Sequence, residues 1–340
     1  CAQCHDHPFA DWSQDDFEGI AAFYGRTDYG ITGVRERSRR DGVPVEYAVQ
    51  DRETLEDRTV APSVPFASDR LPSDFQPDSS DRRRALAVWV THEESRRFGR
   101  ATANRVWGLL FGRAWYDPVD DLPDPRALKD GEQGDLLDRL AAEFAGRGEY
   151  RLKHLIRVVT RSRAFRLSSS APGVDEKTFD DLSRANAVFP LTRLRPEQMI
   201  GAMTQAGSVR TLDADSPLFV RALRFFRSVD FVRDYGDPGE NELVLEPGTV
   251  PQALLRMNGD LPRELSQAQP LGAPARLTWF AGEPPQQVEA ALLCVLSRRP
   301  TPSETAALVR YYEPMEGEAE YPIEDVYWTL FNSPEFSWNH

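Results

Sequence analysis

From residue 81 onward, apolar residues keep returning at spacings of three and four. Leu137, Leu140, Ala141 and Phe144 set the pattern, which recurs at Leu152, Leu155, Ile156 and Val159, and at Met199, Ala202, Met203 and Ala206. It returns at Val288, Ala291, Leu292 and Val295, at Thr305, Leu308, Val309 and Tyr312, and at Ile323, Val326, Tyr327 and Leu330. At 3.6 residues per turn, each series lies along one side of a helix. An apolar stripe of that kind cannot stay in water, so the helices must pack on one another. Asp81 is placed to cap a further helix through Ala85, Leu86, Val88 and Trp89, and another starts near Phe98 and carries Ala103, Val106, Trp107 and Leu110. Arg195-Pro196, Val250-Pro251 and Thr301-Pro302 set prolines where a first helical turn tolerates them. No fixed-period repeat stands out, so a solenoid is not expected.

The N-terminal part reads differently. Ser13 with Asp16 resembles a capping box, and Phe17, Ile20, Ala21 and Tyr24 then have the spacing of a helix with one buried side. Residues 34–40 and 43–49 flank Asp41-Gly42, a dipeptide suited to a tight hairpin turn, and Val43, Val45, Tyr47 and Val49 alternate at the strand period. Residues 62–80 are rich in Pro, Ser and Asp and read as a linker. The expected fold is therefore mainly α: a multi-helical second domain over 81–340, preceded over 1–61 by a helix and a small β-hairpin excursion.

Charge and hydropathy narrow the classes of partner. With 41 basic against 54 acidic residues the net charge is −13, the wrong sign for a surface that must attract phosphate backbones, so nucleic acid is not an expected partner. Nothing reaches eighteen consecutive apolar residues, and no transmembrane helix is expected. The chain opens inside its most informative motif without an initiator Met, as a fragment or a processed product would, and any signal segment would lie upstream.

That motif is Cys1-Ala2-Gln3-Cys4-His5, followed by Asp6-His7-Pro8-Phe9. Two thiols three positions apart, with an imidazole directly after the second, suit covalent attachment of haem c: the thiols add across two vinyl groups and His5 reaches the iron. Other chemistries use the same residues. Cys1, Cys4 and His7 could ligate zinc or non-haem iron with a distant fourth ligand. Cys1 and Cys4 could form a redox disulfide, or be buried small residues. Pro8 disfavours helix at His7, so the two histidines fall on a turn and His7 is not expected on the same iron as His5. Phe9, Trp12, Phe17, Phe23 and Tyr24 would supply an apolar wall, or ordinary core. Met199, Met203, Met257 and His340 are the candidates for the far side of the iron, the first two on a stripe that reads as core. Cys294, within a helical pattern, is expected to be a reduced, buried thiol.

Several other features carry a plain reading and a functional one. His154, Arg157 and Arg161, with Tyr150, fall along one helix side opposite the apolar stripe, where they would be a solvated face or a ridge receiving an acidic partner or an anionic polysaccharide. Asn104-Arg105 and the following Asp120-Asp121 suit an Arg–carboxylate pair tying a helix to the following loop. Asp120-Asp121 as an acid–base pair would need two neighbours to face one substrate, which adjacent residues rarely do. No glycine-rich phosphate loop or nucleophile elbow occurs, so no catalytic constellation is identified.

The run Cys1 to Phe9 with Trp12-Ser13-Gln14-Asp15-Asp16-Phe17 resembles the end of the first of two linked domains of unknown function in Planctomycete-type cytochrome-c-associated proteins. The second domain of that pair is resembled by Asn104-Arg105-Val106-Trp107 with Phe111-Gly112-Arg113, by Pro118-Val119-Asp120-Asp121, and by Leu152 to Arg157 with Ser162. Arg195 to Gln198, Val250 to Leu254 with Asn258-Gly259, and Trp328 to Phe336 continue it in order. The resemblance implies an exported, periplasmic or envelope-associated protein that passes electrons to a redox or envelope partner, and gives a chemical role only to Cys1, Cys4 and His5. A non-catalytic scaffold whose Cys/His motif is a metal clip is the alternative, and a polysaccharide-acting protein a third. The charged loop 123–134 and the segment 236–246 depart from the family pattern.

Overall fold

The computed structural model describes residues 3–8, 11–31, 33–36, 39–40, 43–51, 54–66, 75, 81–92, 96–123, 134–210, 215–236, 243, 248–270, 272–313 and 321–339. Among them the chain forms fourteen α-helices and four two-stranded antiparallel pairs, the mainly α architecture the periodicity predicts. It divides into two compact units, residues 1–106 with 115–158, and residues 107–114 with 159–340. The predicted linker is described only at 62–66 and Phe75.

In the first unit, α1 (Gln14–Ala22) begins at the predicted capping box: Ser13 Oγ accepts from the Asp16 N–H, and the Asp16 carboxylate accepts from the Ser13 N–H. The buried side of α1 is not the predicted one. Glu18, Gly19 and Ala22 are buried, whereas Phe17 and Tyr24 are exposed. The reason is local: a Cβ at Gly19 would lie 2.1 Å from Ser63 Oγ, so only glycine permits that approach, and the Glu18 carboxylate is held by Arg58. The following Phe23 is fully buried and packs with Ala85, Leu86 and Trp89 of α2 (Arg82–Val90), which Asp81 caps.

The β excursion is three hairpins rather than one. β1 (Thr27–Gly30) pairs β2 (Gly33–Glu36), β3 (Arg39–Arg40) pairs β4 (Val43–Pro44), and β5 (Ala48–Gln50) pairs β6 (Asp57–Thr59). Arg40 stands opposite Val43, so the predicted turn falls between paired strands, with Asp41 and Gly42 themselves outside the described residues. Buried Arg82 ties the hairpins to α2. Its backbone N–H donates to Glu36 at 2.8 Å, and its guanidinium donates to Glu46 at 2.5 Å and to the Ala22 carbonyl at 3.3 Å. Burial opposes charge on Glu46, but hydrogen bonds from Arg26 and Arg82 outweigh it and hold the carboxyl below its usual range.

Helices α3 (Arg96–Phe111), α4 (Leu136–Ala145) and α5 (Leu152–Thr160) follow. Leu137, Leu140, Ala141 and Phe144 are all buried as predicted, and α3 approaches them at Gly99, where a Cβ would lie 2.9 Å from that of Ala141. On α5 the stripe is only half buried: Leu155 and Val159 are enclosed, but Leu152 and Ile156 are exposed.

The second unit is built from α6 (Glu176–Arg184), α7 (Pro196–Ala206), α8 (Leu218–Tyr235), α9 (Val250–Asn258), α10 (Asp260–Ser266), α11 (Ala273–Phe280), α12 (Pro284–Leu296), α13 (Pro302–Val309) and α14 (Pro322–Asn332). Its core joins Met199, Ile200 and Met203 of α7 to Val288, Ala291 and Leu292 of α12 and to Ile323, Val326 and Tyr327 of α14. β7 (Thr192–Arg193) pairs β8 (Trp338–Asn339), fastening the end of the chain beside the entry to α7. Cys294 is exposed rather than buried, because it lies off the α12 stripe that faces the core. Among the described residues, no helix is long and apolar enough to cross a membrane.

Candidate functional site

The Cys/His turn precedes α1 and is tied to its first turn. Asp6 Oδ1 accepts from the backbone N–H of Gln14 at 2.8 Å, where a helix start leaves donors without partners. The His7 N–H donates to the Trp12 carbonyl at 2.7 Å. Hydrogen bonds from the Ser13 hydroxyl and N–H hold the Asp16 carboxyl below its ordinary range, so this anchor is ionised at neutral pH. Trp12 in turn leans edge-on against Phe66, which packs on Trp89 at 4.8 Å between ring centroids.

On this frame Cys4 is an exposed free thiol and His5 is exposed. The His5 Nδ1 lies 2.6 Å from the Asp6 carbonyl oxygen. A carbonyl only accepts, so Nδ1 is the donor in this contact and Nε2 is left outside it. That is the state in which an imidazole ligates a metal, with its other nitrogen orienting the ring through a backbone carbonyl. His7 is half-buried and has a partner of its own. Among the described residues, no three His, Cys, Asp or Glu side chains gather as metal ligands.

Cys1, Phe9 and His340 lie outside the described residues. Of the predicted apolar wall, Phe23 is core, whereas Trp12, Phe17 and Tyr24 are exposed. Met199 and Met203 are fully enclosed in the core of the second unit, and Met257 is exposed.

Two of the charged features form structural pairs. His154 Nε2 meets Glu143 Oε1 at 2.9 Å, Arg157 has a partner, and Arg161 is exposed. Asp120 pairs with Arg105 at 2.6 Å, tying α3 to the following loop, and Asp121 is exposed. Nearby, Asn104 is fully buried, accepts from the Tyr116 N–H at 2.9 Å and donates to the carbonyls of Tyr116 and Val119 at 2.9 and 3.1 Å. Buried Arg100 bridges Asp135 and Asp138 at 3.0 and 2.7 Å. Burial works against the charge on Asp135, but the Asp138 N–H, the Tyr116 hydroxyl and Arg100 outweigh it and hold the carboxyl low.

One cluster is foreshadowed by no sequence pattern. Arg193 on β7 donates to the Tyr235 hydroxyl at 3.2 Å and to Gln252 Oε1 at 3.1 Å, and Arg256, one turn beyond Gln252 on α9, donates to Ser337. Its members come from four elements with no shared spacing, so nothing local announces it. Comparison with curated proteins and with solved structures finds no match. Residues 82–222 match the model of a protein family described as PSD1: Protein of unknown function (DUF1553), and over that stretch the chain is similar to that family.

Proposed function

We propose that the protein is an exported c-type haem carrier that transfers electrons at the cell envelope, holding haem c through Cys1, Cys4 and His5. The observation that carries this reading is the His5 ring, whose Nδ1 is occupied by the Asp6 carbonyl and whose Nε2 is left to a metal, beside the exposed free thiol of Cys4. The described members of the set suit the group: an imidazole turned by a backbone carbonyl on Nδ1, a thiol open to thioether formation, and exposed Trp12 and Phe17 on the same anchored segment. A haem held there would supply a one-electron iron couple. The chain's own part is to orient His5 through Asp6, and Asp6 through the first turn of α1. Export and the envelope partner rest on the resemblance to cytochrome-c-associated proteins at residues 1–17.

Expression beside haem-ligation machinery tests it. The expected product has the intact mass of the chain plus one haem, keeps haem in a denaturing gel, and loses it when Cys1 and Cys4 are both replaced by Ser. An unmodified mass in wild type overturns the reading.

A second reading, a non-catalytic docking module, is favoured by Leu218, Phe225, Phe226 and Val229, which α8 leaves exposed. Phe225 and Val229 line a cleft of about 540 Å³ with Ile200 and Thr204 of α7. Stoichiometric zinc, or neither cofactor, in the same preparation would put this reading first.

A further inference from the structure

The two fully buried arginines of the described residues are each matched to carboxylates. Arg82 has Glu46, and Arg100 has Asp135 and Asp138. Half-exposed Arg298 has Glu304 and Glu335. Arg193 and Arg256, both largely withdrawn from solvent, touch only neutral groups: the Tyr235 hydroxyl, the Gln252 carboxamide and the Ser337 hydroxyl. Among the described residues neither has a carboxylate partner, and the Arg256 Nε is enclosed with no acceptor.

The two side chains converge. Arg193 grips Gln252, which precedes Arg256 by one turn of α9, and Gln252 Nε2 donates to the Tyr235 carbonyl at 3.0 Å. Arg256 donates to Ser337, whose carbonyl accepts from Leu194, the residue after Arg193, at 2.9 Å. The Arg193 guanidinium also lies against Gly248, where a Cβ would stand 2.6 Å from its Nη2. Gly248 immediately precedes Thr249, the N-cap of α9, so the positive end of the helix dipole adds to the two cations. Burial works against protonation of Arg256 and lowers its pKa, the nearby Tyr235 opposes it, and the charge of Arg193 adds a smaller lowering.

A cation drawn from water without a counter-charge is destabilising, and a like charge beside it adds to that cost. Among the described residues no carboxylate meets this pair of cations, and an anion from outside would complete the cluster. We infer that Arg193 and Arg256, with the hydroxyls of Tyr235 and Ser337, form a binding site for a tetrahedral oxyanion, the phosphate or sulfate group of a ligand. A planar carboxylate is satisfied by one edge of one guanidinium, whereas donors arriving from β7, α8, α9 and the turn before β8 suit oxygens that point in several directions. Gly248 serves the site by letting the Arg193 guanidinium lie against backbone.

The test is calorimetric titration of the full chain with inorganic phosphate and with sulfate at constant ionic strength, alongside thermal unfolding in each salt and in chloride. Saturable binding and a saturable rise in Tm are expected, both weakened at least tenfold in Arg256→Met and in Arg193→Met. Arg299→Met, which removes a surface charge elsewhere, should leave them unchanged. A phosphate response that grows from pH 6 to 8 while the sulfate response stays flat would identify the dianion as the bound form. In chloride alone Arg256→Met should be at least as stable as wild type, whereas a merely structural arginine would lose stability there. Absence of saturable binding, or an equal rise in Tm in wild type and Arg256→Met, overturns the site. Should Arg193→Met fail to fold, a weakened anion response in Arg256→Lys supports the site and an undiminished one overturns it. Because haem is absent from every readout, the outcome is independent of the N-terminal attachment.

Discussion

Asn104 uses its carboxamide three times, once to accept and twice to donate, and all three bonds go to the backbone between Tyr116 and Val119. Asn104→Ala would strand one N–H and two carbonyls where water is excluded, and we expect a loss of about 2–4 kcal/mol in urea unfolding. Arg105→Ala, one residue on, breaks a solvent-exposed ion pair with Asp120 and should cost less than about 1 kcal/mol. The sequence put both residues beside the loop but could not rank them, because burial is a property of the packed helix. The same holds for the N-terminal turn. The spacing of Cys1, Cys4 and His5 announces its chemistry, but the tautomer of His5 depends on where the Asp6 carbonyl points, and no spacing encodes that. Asp6→Ala would release the Gln14 N–H and loosen the ring of His5. If haem is attached there, Asp6→Ala should retain the thioether-bound group but shift its reduced absorbance bands; unchanged bands would mean that Asp6 has no orienting part.

At the scale of elements, the helices read correctly from sequence are those whose apolar residues share one buried stripe, as on α4, α7, α12 and α14. α8 escaped because it buries Phe231 and Tyr235 while exposing Leu218, Phe225 and Phe226, so its apolar residues mark no single side. α6 buries nothing fully and offered no stripe to read. The join between α12 and α13 depends on electrostatics. Arg298 reaches Glu304 at 2.6 Å and Glu335 at 2.5 Å, while Glu304 also closes the capping box with Thr301. Hydrogen bonds from Arg298, then from the Thr301 backbone, bring the Glu304 pKa from 4.5 to about 2. A carboxyl depressed in the folded state adds stability that is complete above pH 4.5 and lost as pH falls toward 2. Because Glu304 is about one-third exposed, we expect about 1 kcal/mol after allowance for solvent screening. Glu304→Gln should flatten the acid limb of a urea-stability profile by that amount; an unchanged limb would place the acid sensitivity elsewhere.

For the whole molecule, the decisive fact is that each compact unit owns a core. Phe144, fully enclosed, anchors α4 in the first, where Phe98 and Tyr150 stack about it at 6.2 and 5.4 Å. Leu292 lies in the second among Met199, Val326 and Tyr327. Chains with more than one core need not unfold in one step, and a single Tm is then not a defined quantity. Truncating either residue leaves a cavity its neighbours fill only in part, at a cost of about 3–5 kcal/mol for Phe144→Ala and about 2–5 kcal/mol for Leu292→Ala. In scanning calorimetry of the full chain, Phe144→Ala should lower the transition of the first unit and Leu292→Ala that of the second, each leaving the other in place. The anion response of Arg193 and Arg256 should follow the second transition, since every residue of that cluster lies between 159 and 340. If both substitutions moved one common transition equally, the two cores would be coupled in a single cooperative fold, and phosphate would then stabilise the N-terminal turn as strongly as the helices that bind it.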